Sequence, residues 1–326
     1  MTNIDNTSPE ISIVIPLFNE EANFEELTRR LIELNKKSNL TLEIVMVSDG
    51  SYDKTPFLMH MLSTKNNLFT SVFLSRNFGH QIAVSAGLMV ASGTKAVFII
   101  DGDLQDPPEL LFDFYNKLNE GFDVVYGIRR KRKEGWGKKI LYWFYYRMLK
   151  SIANTELNLD SGDFSLVSRR VVNYMNAMPE KNRYLRGLRS WIGFKQFGFE
   201  YERDSRFAGE PKYSFKKLLE LAYSGIFNFS DFPIKLITRL GLGVIFIGIA
   251  YTLYVMYRKF AFGDVPQGFS AIIFFMTLFT GTLLIAIGMV GEYVIRIFKQ
   301  VQNRPLLIID KVLKNQKEIN GQELFH

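Results

Sequence analysis

The 326-residue chain contains no cysteine, which excludes a disulfide framework, a thiolate-ligated zinc site and any thiol nucleophile. Histidine is nearly as scarce. His60, His80 and His326 are the whole complement and show no metal-ligand spacing, so His80, after Asn77-Phe78-Gly79, reads as a structural histidine. The first ten residues lack a basic segment followed by an apolar run, so no secretory signal is expected and the following domain is expected in the cytoplasm. Charge is missing from two long stretches: Leu240–Tyr257 has none over 18 residues and Gly268–Gly291 none over 24. Each can cross about 30 Å of hydrocarbon.

Two transmembrane helices are therefore expected, joined by the short connector Arg258–Gln267 with its Gly263 and Pro266. Lys235 and Arg239 precede the pair and Arg296, Lys299 and Arg304 follow it, whereas the connector sets only Arg258 and Lys259 against Asp264. The positive-inside rule then puts both ends of the hairpin in the cytoplasm. Lys212–Asp231 and Val294–Val301 read as amphipathic juxtamembrane helices, and Trp136–Leu149 reads equally as an interfacial helix or a core helix. Glycines at 241, 243, 248, 281, 288 and 291 permit close helix packing and hence a homo-oligomer.

What precedes the hairpin is polar and alternating. Apolar runs at Ile11–Leu17, Leu42–Val47, Thr70–Leu74, Lys95–Ile100 and Phe122–Tyr126 are separated by stretches of helical period, among them Thr55–Leu62, Gln81–Ala91 and Glu109–Asn119. This predicts an α/β domain with a mostly parallel sheet and helices on both faces. The expected organisation is a catalytic domain over 1–211, a juxtamembrane helix over 212–232, the two spans within 233–293, and a cytoplasmic helix and tail over 294–326.

In such sheets the ligand crevice lies beyond the carboxyl ends of the strands. Asn19-Glu20 follows the first strand, Asp49-Gly50 the second and Asp101-Gly102-Asp103 the fourth, so acidic residues distant in sequence should share one edge. Each alone would pass for a turn. The Asp-Gly-Asp spacing lets two carboxylates approach one divalent cation, for which oxygen ligands favour Mg2+ or Mn2+. A net charge of +7 fits a membrane surface or phosphorylated ligands, and because the basic residues cluster beside the spans no nucleic-acid partner is expected.

Five motifs occur in order: Pro16-Leu17-Phe18-Asn19-Glu20, Ser48-Asp49-Gly50-Ser51, Arg76-Asn77-Phe78-Gly79, Asp101 to Pro108 (DGDLQDPP) and Gly162-Asp163-Phe164. Together they resemble glycosyltransferase family 2, and more narrowly its polyprenyl-phosphate branch, which includes dolichol-phosphate mannose synthases and bactoprenol glucosyltransferases. The resemblance implies a GT-A-like domain in which Pro16, Asn19, Glu20 and Asp49 hold the nucleotide. Asp101 and Asp103 would hold the metal and the donor phosphates, with Gln105 close by. Asp163, in a Ser161–Phe164 turn, matches the catalytic base or acceptor-positioning carboxylate. Arg206, Gly209, Lys212 and Tyr213 match a pattern placed over the diphosphate and the acceptor phosphate, and Arg129 to Lys133, Arg132 among them, would lie near the lipid headgroup. Two positions depart from the family: Ser48 stands where an aspartate is common, and Pro211 where a serine is.

The implied reaction is an inverting transfer of a hexose-type sugar, with a UDP-sugar as favoured donor, to a polyprenyl phosphate such as undecaprenyl phosphate. Asp163, Asp103 and Arg206 carry the chemistry and membrane lipids surround the spans. A phosphate monoester is already mostly ionised at neutral pH, so Asp163 is expected to orient the acceptor more than to deprotonate it. The competing readings are a processive polysaccharide synthase, whose usual Gln-x-x-Arg-Trp motif is missing here, and a nucleotide-sugar-binding scaffold without turnover.

Overall fold

A computed structural model describes residues 8–130, 161–181, 183–202, 232–263 and 268–325. One compact unit contains the described residues up to 202 together with those from 304 onward, and a second contains the apolar helices.

The first unit begins with a strict alternation: β1 Ile11–Leu17, α1 Glu21–Lys37, β2 Leu42–Ser48, α2 Thr55–Lys65, β3 Phe69–Leu74, α3 His80–Val90 and β4 Ala96–Ile99. All seven residues of β1 are buried, the pattern of a strand covered on both faces. A 3-10 turn at Pro108–Leu110 leads into α4 Leu111–Asn119 and β5 Val124–Arg130. After the undescribed segment come β6 Ser161–Ser168, α5 Arg169–Ala177, α6 Leu185–Ile192 and β7 Gln196–Glu202.

The chain's last part adds β8 Ile309–Lys314 and β9 Lys317–Asn320, giving nine strands in the order β7-β5-β6-β4-β1-β2-β3-β8-β9. The sheet is mixed. The contiguous block β4-β1-β2-β3 is parallel, whereas β6 runs antiparallel to β4 and β5, and β8 antiparallel to β3. Phe98, Phe114 and Phe164 pack under the β6 side with ring centroids 5.1 to 5.8 Å apart.

The segment expected as a tail is therefore part of the sheet. Ser71 pairs with Leu313 and Val72 with Val312, so the β3 edge is covered and its backbone groups are satisfied. Lys314 Nζ lies 2.8 Å from Glu43 Oε1, and the other oxygen of this nearly buried carboxylate accepts from Ser12 Oγ and from Ser92 N and Oγ. A left-handed Asn315-Gln316 pair, with φ of 51° and 61°, turns β8 into β9.

The second unit contains α7 Phe232–Phe262 and α8 Phe269–Val301. Ile237–Phe262 and Phe274–Val301 are long and apolar enough to cross a membrane. Their large side chains point outward, with Phe246 74% and Phe260 82% exposed, an arrangement that water would penalise and a bilayer would not. No separate juxtamembrane helix forms at 294–301: α8 continues to Val301, helped by an i,i+4 pair in which Arg296 Nε donates to Glu292 Oε1 at 2.8 Å. A Cβ on any of the six span glycines named above would meet nothing within 4 Å, so these glycines do not bring α7 and α8 together. The helices expected at 136–149 and 212–231 lie outside the described residues.

Candidate active site

The carboxyl ends of the parallel strands interlock through their loops. Asn19, in the left-handed region at φ 52°, ends β1; its N–H donates to Ser51 Oγ at 3.1 Å, and its Oδ1 accepts from Tyr52 N at 2.9 Å. Glu20 N donates to Thr55 Oγ1 at 3.0 Å, and Glu20 Oε2 accepts from Asn23 Nδ2 at 2.6 Å. Pro16 sits inside β1 opposite Val47. These contacts fasten the β1 loop to the β2 loop.

Asp49 is buried and accepts backbone N–H bonds from Phe78 at 2.7 Å and Gly79 at 2.9 Å. Burial still raises its pKa above the ordinary value, with the two N–H groups, His80 and Arg76 pulling the other way. Gly50 follows at φ +61°, and a Cβ there would stand 2.5 Å from the backbone of Arg76 and Asn77. Only glycine allows the β2 and β3 loops to meet so closely.

After β4 the chain runs through Asp101-Gly102-Asp103, and a Cβ on Gly102 would lie 2.4 Å from Leu17 Cδ2. Gln105 N donates to Asp103 Oδ1 at 3.2 Å, and Leu104 is held in the left-handed region at φ 59° with its side chain buried. The Asp106 carboxylate is completely buried; it accepts from Tyr201 OH, and Arg129 Nη2 lies 3.8 Å away.

Asp163 stands at the start of β6, a strand and not the expected turn, because Phe164 and Leu166 insert into the core from this segment. Arg186 grips it with two parallel bonds, Nε to Oδ1 at 2.8 Å and Nη2 to Oδ2 at 3.0 Å. Gln81 Nε2 donates to Oδ2 at 3.0 Å, while Gln81 Oε1 accepts from Leu185 N at 2.9 Å and so ties α3 to the start of α6. His80 Nε2 completes the set, 3.4 Å from Asp163 Oδ2 and 3.5 Å from Asp101 Oδ1.

His80 thus joins the two carboxylates expected to serve different substrates. Burial pulls its pKa down, but Asp101 and Asp163 outweigh burial and lift it to about 9, so the imidazole is charged at neutral pH. Asp101 is raised to about 6, first by burial and then by Asp106, Asp163 and Asp103, with His80 opposing. Asp163 behaves oppositely. Burial pushes it up, yet Arg186 and His80 hold it well below the usual carboxylate range.

The structure gathers Asp49, Asp101 and Asp163 around His80 and sets Asp103 and Gln105 beside them. Asn19 and Glu20 form the adjoining loop, and Arg129 lies on the β5 side. Arg132, Arg206 and Lys212 fall outside the described residues. Sequence reasoning did not place His80 between Asp101 and Asp163 and passed over Gln81, Asp106, Arg186 and Tyr201. The end of β3 opens on the same crevice as the other strand ends, and that rule alone would have drawn attention to His80.

Residues 12–175 match the family model described as glycosyl transferase family 2, and the chain belongs to that family. Within it, the chain is 41% identical over 303 residues to the uncharacterized glycosyltransferase YkcC of Bacillus subtilis, covering 93% of this chain and 94% of that one. It is 34% identical to a prophage bactoprenol glucosyl transferase homolog of Escherichia coli, covering 94% of this chain and all of the relative. The bactoprenol glucosyl transferase of Shigella phage SfV is 35% identical, with 95% of this chain and 99% of that one covered. Among solved structures, the mannosyltransferase PcManGT from Pyrobaculum calidifontis aligns over 85% of this chain and 88% of its own, at 16% identity and a TM-score of 0.47.

Proposed function

We propose that this chain transfers a hexose-type sugar from a nucleotide-sugar, a UDP-sugar by preference, to a polyprenyl phosphate at the cytoplasmic face of a membrane, inverting the anomeric carbon. The carrying observation is the convergence of Asp101, Asp163 and Asp49 on His80 at the carboxyl ends of parallel strands. The whole-length relatives named as bactoprenol glucosyl transferases support a polyprenyl-phosphate acceptor and a glucose-type sugar.

The membrane assignment rests on α7 and α8. Because β8 pairs with β3, the described residues up to 202 and those from 304 onward belong to one folded unit, which agrees with a hairpin of two crossings that starts and ends on the same side. The basic residues flanking the hairpin put that side in the cytoplasm. We assign a catalytic domain up to residue 211 and a juxtamembrane helix over 212–232, and the described residues from 304 onward belong to the catalytic unit.

A divalent cation fits the donor set. Among the described residues no group of three or more His, Asp or Glu gathers for an ion, and the two carboxylates assigned to the cation are Asp101 and Asp103. Magnesium commonly takes one or two carboxylates and completes its shell with substrate phosphates and water. Burial first, and then the neighbouring Asp106, Asp163 and Asp103, raise Asp101 to about 6, and a cation at this position would offset both. When bound, Mg2+ or Mn2+ would neutralise charge developing on the leaving diphosphate.

The protein's own residues do the rest. Asn19, Glu20, Asp49 and the end of β1 near Pro16 shape the nucleotide side; Gln105 sits beside the diphosphate position; Asp163 organises the acceptor side. Arg206 and Lys212 are assigned to the acceptor phosphate with Arg129 and Arg132. The acceptor oxygen arrives ionised, so in-line attack needs orientation more than proton removal. The test is a transfer assay with detergent-solubilised protein, undecaprenyl phosphate and a panel of labelled nucleotide-sugars, with and without Mn2+. One donor should yield a labelled lipid only with metal; no labelled lipid from any donor would sink the reading.

A further inference from the structure

The crevice has a floor of buried carboxylates and a rim of half-exposed cations. Asp163 and Asp106 side chains are 8% and 0% exposed, whereas Arg186 and Arg129 are 30% and 29% exposed. Arg186 is bonded twice to Asp163, and Arg129 Nη2 lies 3.8 Å from Asp106, which accepts from Tyr201 OH. A carboxylate has about four acceptor positions. On Asp163 they face Arg186 twice, Gln81 once and His80 once. An anion so engaged is a tether, with little capacity left to take a proton.

The rim lies on one side of the site. Asp49 follows β2, Asp101 follows β4 and Asp163 begins β6, and the strand order β6-β4-β1-β2 places Asp101 between the other two. The nucleotide side is thus β1 and β2, leaving β6 and β5 for the acceptor. Arg129 and Arg186 flank adjacent residues there: Arg129 Nη2 would stand 3.7 Å from a Cβ on Gly162, and Arg186 holds Asp163. Two guanidinium groups from neighbouring positions suit a phosphate monoester, which carries a charge of about −1.5 to −2 and three acceptor oxygens.

We propose that Arg186 binds the phosphate of the acceptor lipid, opposite Arg129, and that Asp163 is the positioning residue that holds it. This rests on the transferase reading above and adds a ligand contact that the sequence motifs did not indicate. No covalent step involves Arg186. It orients the nucleophilic oxygen and remains charged throughout.

The test uses the full chain in detergent with undecaprenyl phosphate and the nucleotide-sugar that the wild type accepts. Arg186→Gln should raise KM for undecaprenyl phosphate about tenfold or more while the donor KM changes less than about twofold, as expected for a contact to one substrate. Arg186→Lys should recover part of the loss, since it keeps the charge and loses the fork. If Arg186→Gln fails to fold, by thermal unfolding, the Arg186→Lys split between the two KM values decides alone. Equal binding of wild type and variant to anionic phospholipid vesicles separates the acceptor phosphate from bulk surface charge and supports the assignment. A matching loss of vesicle binding would overturn it, as would a rise in donor KM equal to that for the lipid, or a fall in kcat alone. A wild type that labels no polyprenyl phosphate would refute the parent reading instead, and with it the substrate named here.

Discussion

Replacing Asp163 by asparagine removes one negative charge and leaves the shape unchanged. In the wild type this carboxylate accepts two bonds from Arg186 and one from Gln81, with His80 3.4 Å away. Asparagine retains one carbonyl acceptor, so at least one charge-assisted bond is lost, each worth about 1.5–3 kcal/mol. If this loss of about 1.5–3 kcal/mol falls on the bound acceptor, kcat/KM for undecaprenyl phosphate falls roughly 10- to 150-fold, chiefly through KM. The assay is steady-state transfer to undecaprenyl phosphate by wild type, Asp163→Asn, Arg186→Gln and the double variant. A tether predicts that the double variant is hardly worse than the worse single one, because both changes break one unit. Additive losses would refute that reasoning, and wild-type activity in Asp163→Asn would remove the residue from the mechanism.

The C-terminal strand gives a pH-dependent prediction. Burial raises Glu43, but Lys314, Ser12 and Ser92 bring it below its ordinary 4.5, so its stabilisation is present above that pH and lost as pH falls through the lowered value. Lys314→Met leaves burial dominant and lifts Glu43 above 4.5; urea unfolding should show a loss of about 1–3 kcal/mol at pH 7 that narrows toward pH 5. Equal losses at both pH values would contradict this. Deleting residues 304–326 uncovers the edge of β3, and size-exclusion chromatography should show aggregation where the full chain is monodisperse. Gly50→Ala forces a left-handed alanine against the Arg76 and Asn77 backbone, and its chemical-denaturation midpoint should report a loss above about 2 kcal/mol. Chelation should abolish transfer and Mn2+ restore it, and a chelator-insensitive rate would exclude the cation at Asp101 and Asp103.

The parallel half of the sheet was legible because its strands are buried on both faces and so read as unbroken apolar runs, β1 above all. Strand ends then located Asn19, Asp49 and Asp101 by topology alone. The β6 segment misled because Ser161-Gly162-Asp163 has turn composition, and only the tertiary fit of Phe164 and Leu166 makes it a strand. β8 and β9 escaped because they follow the spans by sequence yet pair with β3, a contact that no local pattern encodes, and because their turn is Asn-Gln and not Asn-Gly. His80 and Arg186 were obscure for a similar reason. Their contacts with Asp163 appear only when α3 and α6 meet over it, through Gln81 and the Leu185 amide.

The central claim is that the acidic crevice passes a sugar to a lipid phosphate. Mass spectrometry of the lipid fraction after incubating purified protein with UDP-glucose, undecaprenyl phosphate and Mn2+ tests it directly. The account predicts undecaprenyl phosphate carrying one hexose through its phosphate, absent with Asp101→Asn. A hexose polymer, an unmodified lipid, or the same product from the Asp101→Asn chain would contradict it.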